Sequence, residues 1–347
     1  MTKKWMIAAT VSFLLATSQL FAFGSYKEAF DQAGKQENAK KYAEAGNDYA
    51  EAFKLAKTAS EKFDSLFRQG ECLRLERKYD EGLEVFKKAG VLEGITPSQK
   101  GIAQLRVAQC NEWSQKWDPA IVEYEAILVI DKVSPDQQAN AYLGAASCYR
   151  AKKQYDKSEQ SMDKLLALKN ISPYYVARAY MIKGYNDRET KKLDDAIANL
   201  NKAIEVPKAH PHLISESRNA IADILMSQKK YDEAEKMSQS VVNDSAAHPY
   251  HIASAMNRIA TIQRNNKKYD DSIKTSEAVI ALKDMHPNYM TDAQLNIGYC
   301  YFYKKEYAKA MDQFKLVMDS KTAAVWHKNS AKSWSVNTQK ELDKTKK

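Results

Sequence analysis

Cys72, Cys110 and Cys148 stand 38 residues apart, and Cys300 falls four such steps beyond Cys148. The same interval separates His210, His248 and His286, and it separates Arg150 from Arg188. These residue types form disulfides, bind metals or grip anions, so the interval decides which chemistry is open to them. Equivalent positions on stacked helices lie about 8–10 Å apart. A disulfide needs Cα atoms within about 7 Å, and zinc needs nitrogen ligands at about 2.0–2.1 Å. The spacing therefore predicts four free thiols, no disulfide and no metal site. With His212 and His251 beside the ladder, only an improvised pairing such as His248 with His251 could approach a metal, and carboxylates would have to complete it. No nucleophile stands beside its base, and no glycine-rich phosphate loop or pair of catalytic carboxylates occurs. The expectation is a chain with no catalytic residues and no cofactor, not an enzyme.

The interval belongs to the whole chain. A short element, Arg77-Lys78-Tyr79-Asp80-Glu81-Gly82, returns in related form around Trp117, Tyr155, Leu193, Tyr231 and Tyr269, and more weakly around Tyr42 and Tyr307. Taking the central residue as an anchor, successive anchors are 37 residues apart once and 38 thereafter. This is an array of eight repeats, and 347 residues that would otherwise suggest two or three domains read as one solenoid grown by stacking. Gly and Pro are few, 11 and 8, which favours helix throughout. Interior repeats open at Pro97, Pro135, Pro173, Pro211, Pro249 and Pro287, each preceded by Ser, Thr or His: an N-cap and a first helical position. Helix A runs from there for about 18 residues to the basic pair before the anchor. That pair offsets the negative end of the helix dipole. The anchor's Asp is expected to cap helix B, as in Asp80 to about Leu92.

Two positions are kept small. Nine residues before the anchor stand Ala33, Gly70, Ala108, Ala146, Gly184, Ala222, Ala260 and Gly298, and three after it come Ala45, Gly82, Ala120, Ser158, Ala196, Ala234, Ser272 and Ala310. Seven after the anchor, Tyr49, Phe86, Tyr124, Met162, Leu200 and Phe314 supply bulk, with Ser238 and Ser276 in two repeats. The order small, aromatic, small, aromatic in Gly70, Tyr79, Gly82 and Phe86, or in Gly298, Tyr307, Ala310 and Phe314, resembles the tetratricopeptide repeat family. The resemblance covers about residues 25–322. It implies an all-α fold, a right-handed superhelical solenoid of antiparallel helix pairs. Family repeats are usually shorter, with proline closing helix B, whereas here proline opens helix A, so the extra residues are expected in the B-to-A turn or the start of helix A.

All ten arginines are assigned to helix A, and none to helix B. Arg74, Arg150, Arg188 and Arg264 share the position five before the anchor. In the family helix A lines a concave groove, and residues 15, 12, 8 and 5 before the anchor share one face of it. On that face the resemblance implies Arg150, Arg178, Tyr185, Arg188, Asn219, Asn257 and Arg264 as ligand-groove residues. Planar guanidinium groups beside Asn and Tyr suit a peptide or a carboxylate. The competing reading is that these arginines pair with Glu and Asp of adjacent helices and hold the stack. The Lys/Asn/Lys/Arg set with which some family members grip a C-terminal carboxylate is not found. The last repeat presents Leu295, Tyr299, Phe302 and Tyr303, which either pack under a closing helix or form a second contact surface.

Residues 1–24 read as a secretory signal peptide: Lys3 and Lys4, an apolar run from Trp5 to Ala16, then small residues, with cleavage near Ala22 or Gly24. The alternative is an uncleaved anchor. The expected domains are 1–24 as leader, 25–322 as the eight-repeat solenoid and 323–347 as a capping helix with a charged tail. The first helix is expected from Ser25 to about Gln36. The closing helix is expected from Thr322 to about Leu342, burying Val325, Trp326 and Trp334. The formal net charge of +9 falls to +7 without the leader, and the basic pairs at helix ends explain much of it, so nucleic acid is not an expected partner. The sequence points to a periplasmic or secreted, non-enzymatic scaffold. Its partner is another envelope protein or peptide, and no stable transmembrane segment remains after processing. The alternatives are an envelope carbohydrate-binding protein, for peptidoglycan or another glycan, and a structural oligomer joined through the aromatic C-terminal end.

Overall fold

The computed structural model describes residues 23–283 and 285–345, so the leader expected at residues 1–24 lies almost wholly outside the described residues. Among them all regular structure is helical. The A helices are α1 (Tyr26–Asn38), α3 (Ala59–Leu75), α5 (Pro97–Trp113), α7 (Pro135–Ala151), α9 (Pro173–Glu189), α11 (Pro211–Ser227), α13 (Pro249–Asn265) and α15 (Pro287–Tyr303). The B helices are α2 (Tyr42–Leu55), α4 (Tyr79–Gly90), α6 (Trp117–Ile127), α8 (Tyr155–Leu166), α10 (Leu193–Glu205), α12 (Tyr231–Val242), α14 (Tyr269–Ile280) and α16 (Tyr307–Asp319), and α17 (Val325–Thr345) closes the array. The chain divides into two compact units, one ending at Cys110 and the other beginning at Asn111. Each is an all-α helical repeat solenoid of consecutive antiparallel pairs. In the second unit α7, α9, α11, α13, α15 and α17 each touch the next of the series, while no two successive B helices touch. The A helices are therefore its inner layer.

The corner between A and B is built differently from its expected form. Helix A ends before the basic pair, and the first member of the pair adopts a left-handed backbone: Lys40, Arg77, Gln115, Lys153, Lys191, Lys229, Lys267 and Lys305 all have φ between 58° and 67°. At Lys229 the amide bonds the Met226 carbonyl at 3.0 Å, and the Lys230 amide bonds the Leu225 carbonyl at 2.9 Å. That is the Schellman closure, in which glycine is usual and other residues are uncommon. Arg77 thus lies past the end of α3 rather than within it. The anchor's Asp does not cap helix B either. The residue before the anchor holds the N-cap position without a side-chain bond, as at Lys78 and Lys230, and the Asp sits in the first turn, where its charge meets the helix dipole.

Helix A begins as the proline register predicts. Ser134 and Thr58 form capping boxes with Gln137 and Glu61. At His210, His248 and His286 the imidazole Nδ1 accepts the amide two residues on, at 3.2, 3.4 and 3.3 Å. Histidine thus replaces serine as the cap. The B-to-A connections, such as residues 91–96 and 167–172, absorb the extra length of the repeat.

Packing explains the small positions. An added Cβ at Gly70 would stand 2.6 Å from Phe86 Cε1, and one at Gly298 equally close to Phe314 Cε1. Both phenylalanines are fully buried. The four cysteines are free thiols, and they are fully rather than half buried. Burial pushes Cys72, Cys110 and Cys148 up to about 12, which keeps them protonated and inert. In the Ser276 repeat the missing bulk is replaced by a polar cluster: Asn296 Nδ2 donates to Ser272 Oγ at 2.8 Å and Ser276 Oγ at 2.9 Å.

The last helix corrects another expectation. Trp334 packs on Tyr299, Phe302 and Tyr303, at ring-centroid distances of 5.0, 5.1 and 6.0 Å, so these aromatics lie under α17. Val325 and Trp326, expected to be buried, are 75% and 57% exposed. No helix of the described residues is long and apolar enough to cross a membrane.

Candidate functional site

Arginines on the inner helices fall into two groups. Arg106 and Arg258, each eleven residues before its anchor, reach back to the preceding A helix and pair with Glu71 and Asp223, each eight before its own anchor. Arg74 also pairs with Glu71, at 2.8 Å, and Arg218 pairs with Asp244 at 2.8 Å. The Arg106 and Arg258 pairs hold neighbouring A helices together, whereas Arg74 and Glu71 pair within α3.

In α9 the position of Glu71 and Asp223 is taken by Tyr185, and the arginines around it meet a ring instead of a carboxylate. The Arg150 guanidinium lies 5.5 Å from the Tyr185 centroid, and that of Arg188 lies 5.3 Å from it. Arg178 is near enough for its charge to favour the tyrosinate. Burial and the Glu216 carboxylate nevertheless outweigh both arginines and hold the Tyr185 hydroxyl well above its usual range. That hydroxyl donates to Glu216 Oε1 at 2.9 Å. Arg188 has an exposed pairing with Glu189 at 3.3 Å, worth little. Arg178 forms no ion pair among the described residues. Arg150 forms none either, its Nε is buried without a hydrogen-bond partner, and burial lowers its pKa. Burial outweighs the favourable charge of Glu189, which forms no ion pair with Arg150, so an incoming carboxylate would gain both pairing and hydrogen bonds here.

Glu216 begins a polar chain into the next repeats. Its Oε2 lies 3.4 Å from His212 Nε2. His212 Nδ1 lies 2.5 Å from the Tyr250 hydroxyl and 2.8 Å from His251 Nε2. With Nε2 donating to Glu216, His212 Nδ1 has one lone pair, which accepts from either the Tyr250 hydroxyl or His251 Nε2. Asn219 Nδ2 is then 3.4 Å from His251 Nδ1, and Asn219 Oδ1 accepts from Arg258 at 3.0 Å. Burial first, and His212 second, push His251 down to about 4.

The structure thus brings together Arg150, Arg178, Tyr185 and Arg188 of the residues expected from sequence. It puts the other three to different use. Asn219 and Asn257 donate to the carbonyls of His251 and Tyr289, at 3.3 and 2.9 Å, bridging successive A helices. Arg264 donates to Asn296 Oδ1 at 2.5 Å and lies 5.0 Å from the Tyr299 ring. Sequence reading assigned His212 and His251 no function beyond the loops at helix starts. Their register is the missed signal, because Tyr250 and His251 follow His212 by one repeat and one repeat plus one residue. No group of described residues has the geometry of a metal site.

Profiles of the tetratricopeptide repeat match residues 139–171, 177–210 and 292–320. A search of curated proteins finds no match. Among solved structures, a tetratricopeptide repeat protein from Parabacteroides merdae superposes with a TM-score of 0.52 at 14% identity, covering 79% of this chain and 98% of that one. The apo form of RapI gives 0.56 at 13% identity over 92% and 98% of the two chains. The apo form of NprR, a quorum sensor of B. thuringiensis, gives 0.57 at 12% identity over 85% and 86%. At such identities the likeness is one of fold. The profile matches identify tetratricopeptide repeats at those residues, and the eightfold register, the small and aromatic positions and the paired helices continue the same pattern along the chain.

Proposed function

We propose that the protein is a non-enzymatic interaction scaffold that holds an extended, acidic segment of a partner protein against the inner layer of its second unit, at Arg150, Arg178, Tyr185 and Arg188. The observation that carries this reading is the mismatch of charge around Tyr185. Two guanidinium groups, those of Arg150 and Arg188, lie against one ring with the charge of Arg178 close by, while Glu216 is engaged by Tyr185 and His212, and Glu189, whose charge also reaches Arg150, is paired with Arg188 at an exposed site. On other A helices, Arg106, Arg218 and Arg258 have carboxylate partners. A peptide carboxylate supplies what Arg150 lacks, and Tyr185 adds a rigid ring beside it. The leader pattern of residues 1–24 supports export, and with it an envelope protein or peptide as partner.

The test is binding of fluorescent peptides, one series rich in Asp and Glu and one with Asn and Gln in their place, to the mature chain. The acidic series binds, the neutral one does not, and affinity falls as salt rises. Arg150→Glu with Arg188→Glu lowers affinity by about a hundredfold, as expected when attraction turns to repulsion at one half-buried and one exposed position, while helicity is unchanged. Equal binding of both series, or binding unaffected by the double reversal, overturns the proposal.

A further inference from the structure

The N-terminal ends of α13, α15 and α17 meet around an open cleft of about 810 Å³, away from the arginine cluster. We infer that this cleft is a saccharide-binding site, with the indole of Trp326 as its stacking platform.

Trp326 is held in place although most of it is exposed. Its ring stacks on His327, with centroids 3.5 Å apart and planes 28° apart. His327 is fully buried and fixed in turn, its Nε2 lying 3.0 Å from Asp292 Oδ1. The indole is thus clamped from one side and open on the other. A flexible surface tryptophan could fold down and hide its ring, whereas this one presents it.

The remaining walls decide the ligand class. Tyr250 and Tyr289 contribute further rings, and Asn288, Asp292 and Lys283 contribute hydrogen-bonding groups. Tyr250 is pinned through its hydroxyl to His212 Nδ1. The polar set joins one cation and one carboxylate, so the cleft does not select for net charge as the arginine cluster does. Nor is it a wholly apolar groove suited to a partner helix. A pyranose ring has an apolar C–H face and a rim of hydroxyls that both donate and accept. That pattern matches an aromatic plate bordered by amide, carboxylate and ammonium groups. The opening at one side leaves room for a chain of such units.

The experiment titrates the mature chain with cellohexaose and with N-acetylchitohexaose, followed by calorimetry and tryptophan fluorescence. At least one of the two binds and perturbs the fluorescence. Trp326→Ala weakens binding by about tenfold or more, and Trp326→Phe, which keeps a ring, stays within about threefold of the native chain. If Trp326→Ala loses helicity, Lys283→Ala with Asn288→Ala decides instead, and weakened binding is again the result expected. Arg150→Glu with Arg188→Glu leaves sugar binding intact, so this site and the peptide site stand or fall separately. The inference is overturned if neither hexasaccharide binds at millimolar concentration. It is also overturned if removal of the indole leaves affinity unchanged, or if a nucleoside monophosphate binds the cleft and the sugars do not.

Discussion

Arg150 and Arg264 hold the same position in their repeats, and each lies beside a tyrosine of the following A helix, Tyr185 and Tyr299. Both tyrosines then bond one helix further on, Tyr185 to Glu216 and Tyr299 to Ser330, at 2.9 and 2.8 Å. The two constellations differ at the residue 32 positions after each arginine. For Arg264 this is Asn296, whose Oδ1 accepts from the guanidinium. For Arg150 it is Ile182, a buried aliphatic residue. One arginine is thus satisfied inside the protein and the other is not. A repeat can keep its backbone and its ring contact while one side chain decides whether its arginine locks the stack or remains able to bind.

The largest effect is expected from Asn296→Ile, which copies the Arg150 environment onto Arg264. It removes the acceptor of the half-buried Arg264 and the donor to the buried Ser276, while Ser272 keeps the Ala260 carbonyl, at a cost of about 3 kcal/mol. Urea unfolding measures it, and a loss below about 1 kcal/mol would mean that the polar cluster does not hold this end together.

Acid should separate the two constellations next. His251 belongs to the Tyr185 side through His212 and Glu216, whereas Tyr299 ends on a serine. Because its folded pKa is about 4 against 6.5 for an ordinary histidine, His251 contributes stability that is present above about 6.5 and is lost as pH falls toward 4. A shift of this size corresponds to about 3 kcal/mol at most, the full amount reached only below pH 4. Hydrogen exchange in α11 and α13 should accelerate through that window more than in α15, and His251→Gln should flatten the difference. Equal acceleration in the two regions would break the contrast.

The smallest effect is the reciprocal exchange, Ile182→Asn. An amide there gives Arg150 an internal acceptor and lowers affinity for an acidic peptide by about tenfold, or 1.4 kcal/mol. Isothermal titration measures it, with Ile182→Leu as the control for packing. Unchanged affinity would show that Arg150 is not the group the ligand satisfies.

Much of this was legible beforehand because periodicity survives in one dimension. Residues 38 apart occupy equivalent environments, so the helix pairs, the proline starts, the small positions facing Phe86 and Phe314, and the spacing of the cysteines follow from the sequence by itself. The cluster of Arg150, Arg178, Tyr185 and Arg188 was also within reach, since all four share one helical face in neighbouring repeats. Trp326 was misjudged because an apolar residue in a closing helix reads as core, and only its packing on His327 reveals the bare face.

What tertiary structure alone decided is which polar groups are already satisfied. Asn219, Asn257 and Arg264 share their face with Arg150 and Arg188, yet they are occupied by carbonyls and an amide of the next helix. The corners show the same limit. Lysine two residues before the anchor looks like a helix-ending charge in sequence, whereas the fold places it in the left-handed conformation that turns the chain. Register says which residues are neighbours. Hydrogen bonds depend on distances of a few tenths of an ångström and on the identity of the side chain opposite, and these exist only once the helices are packed.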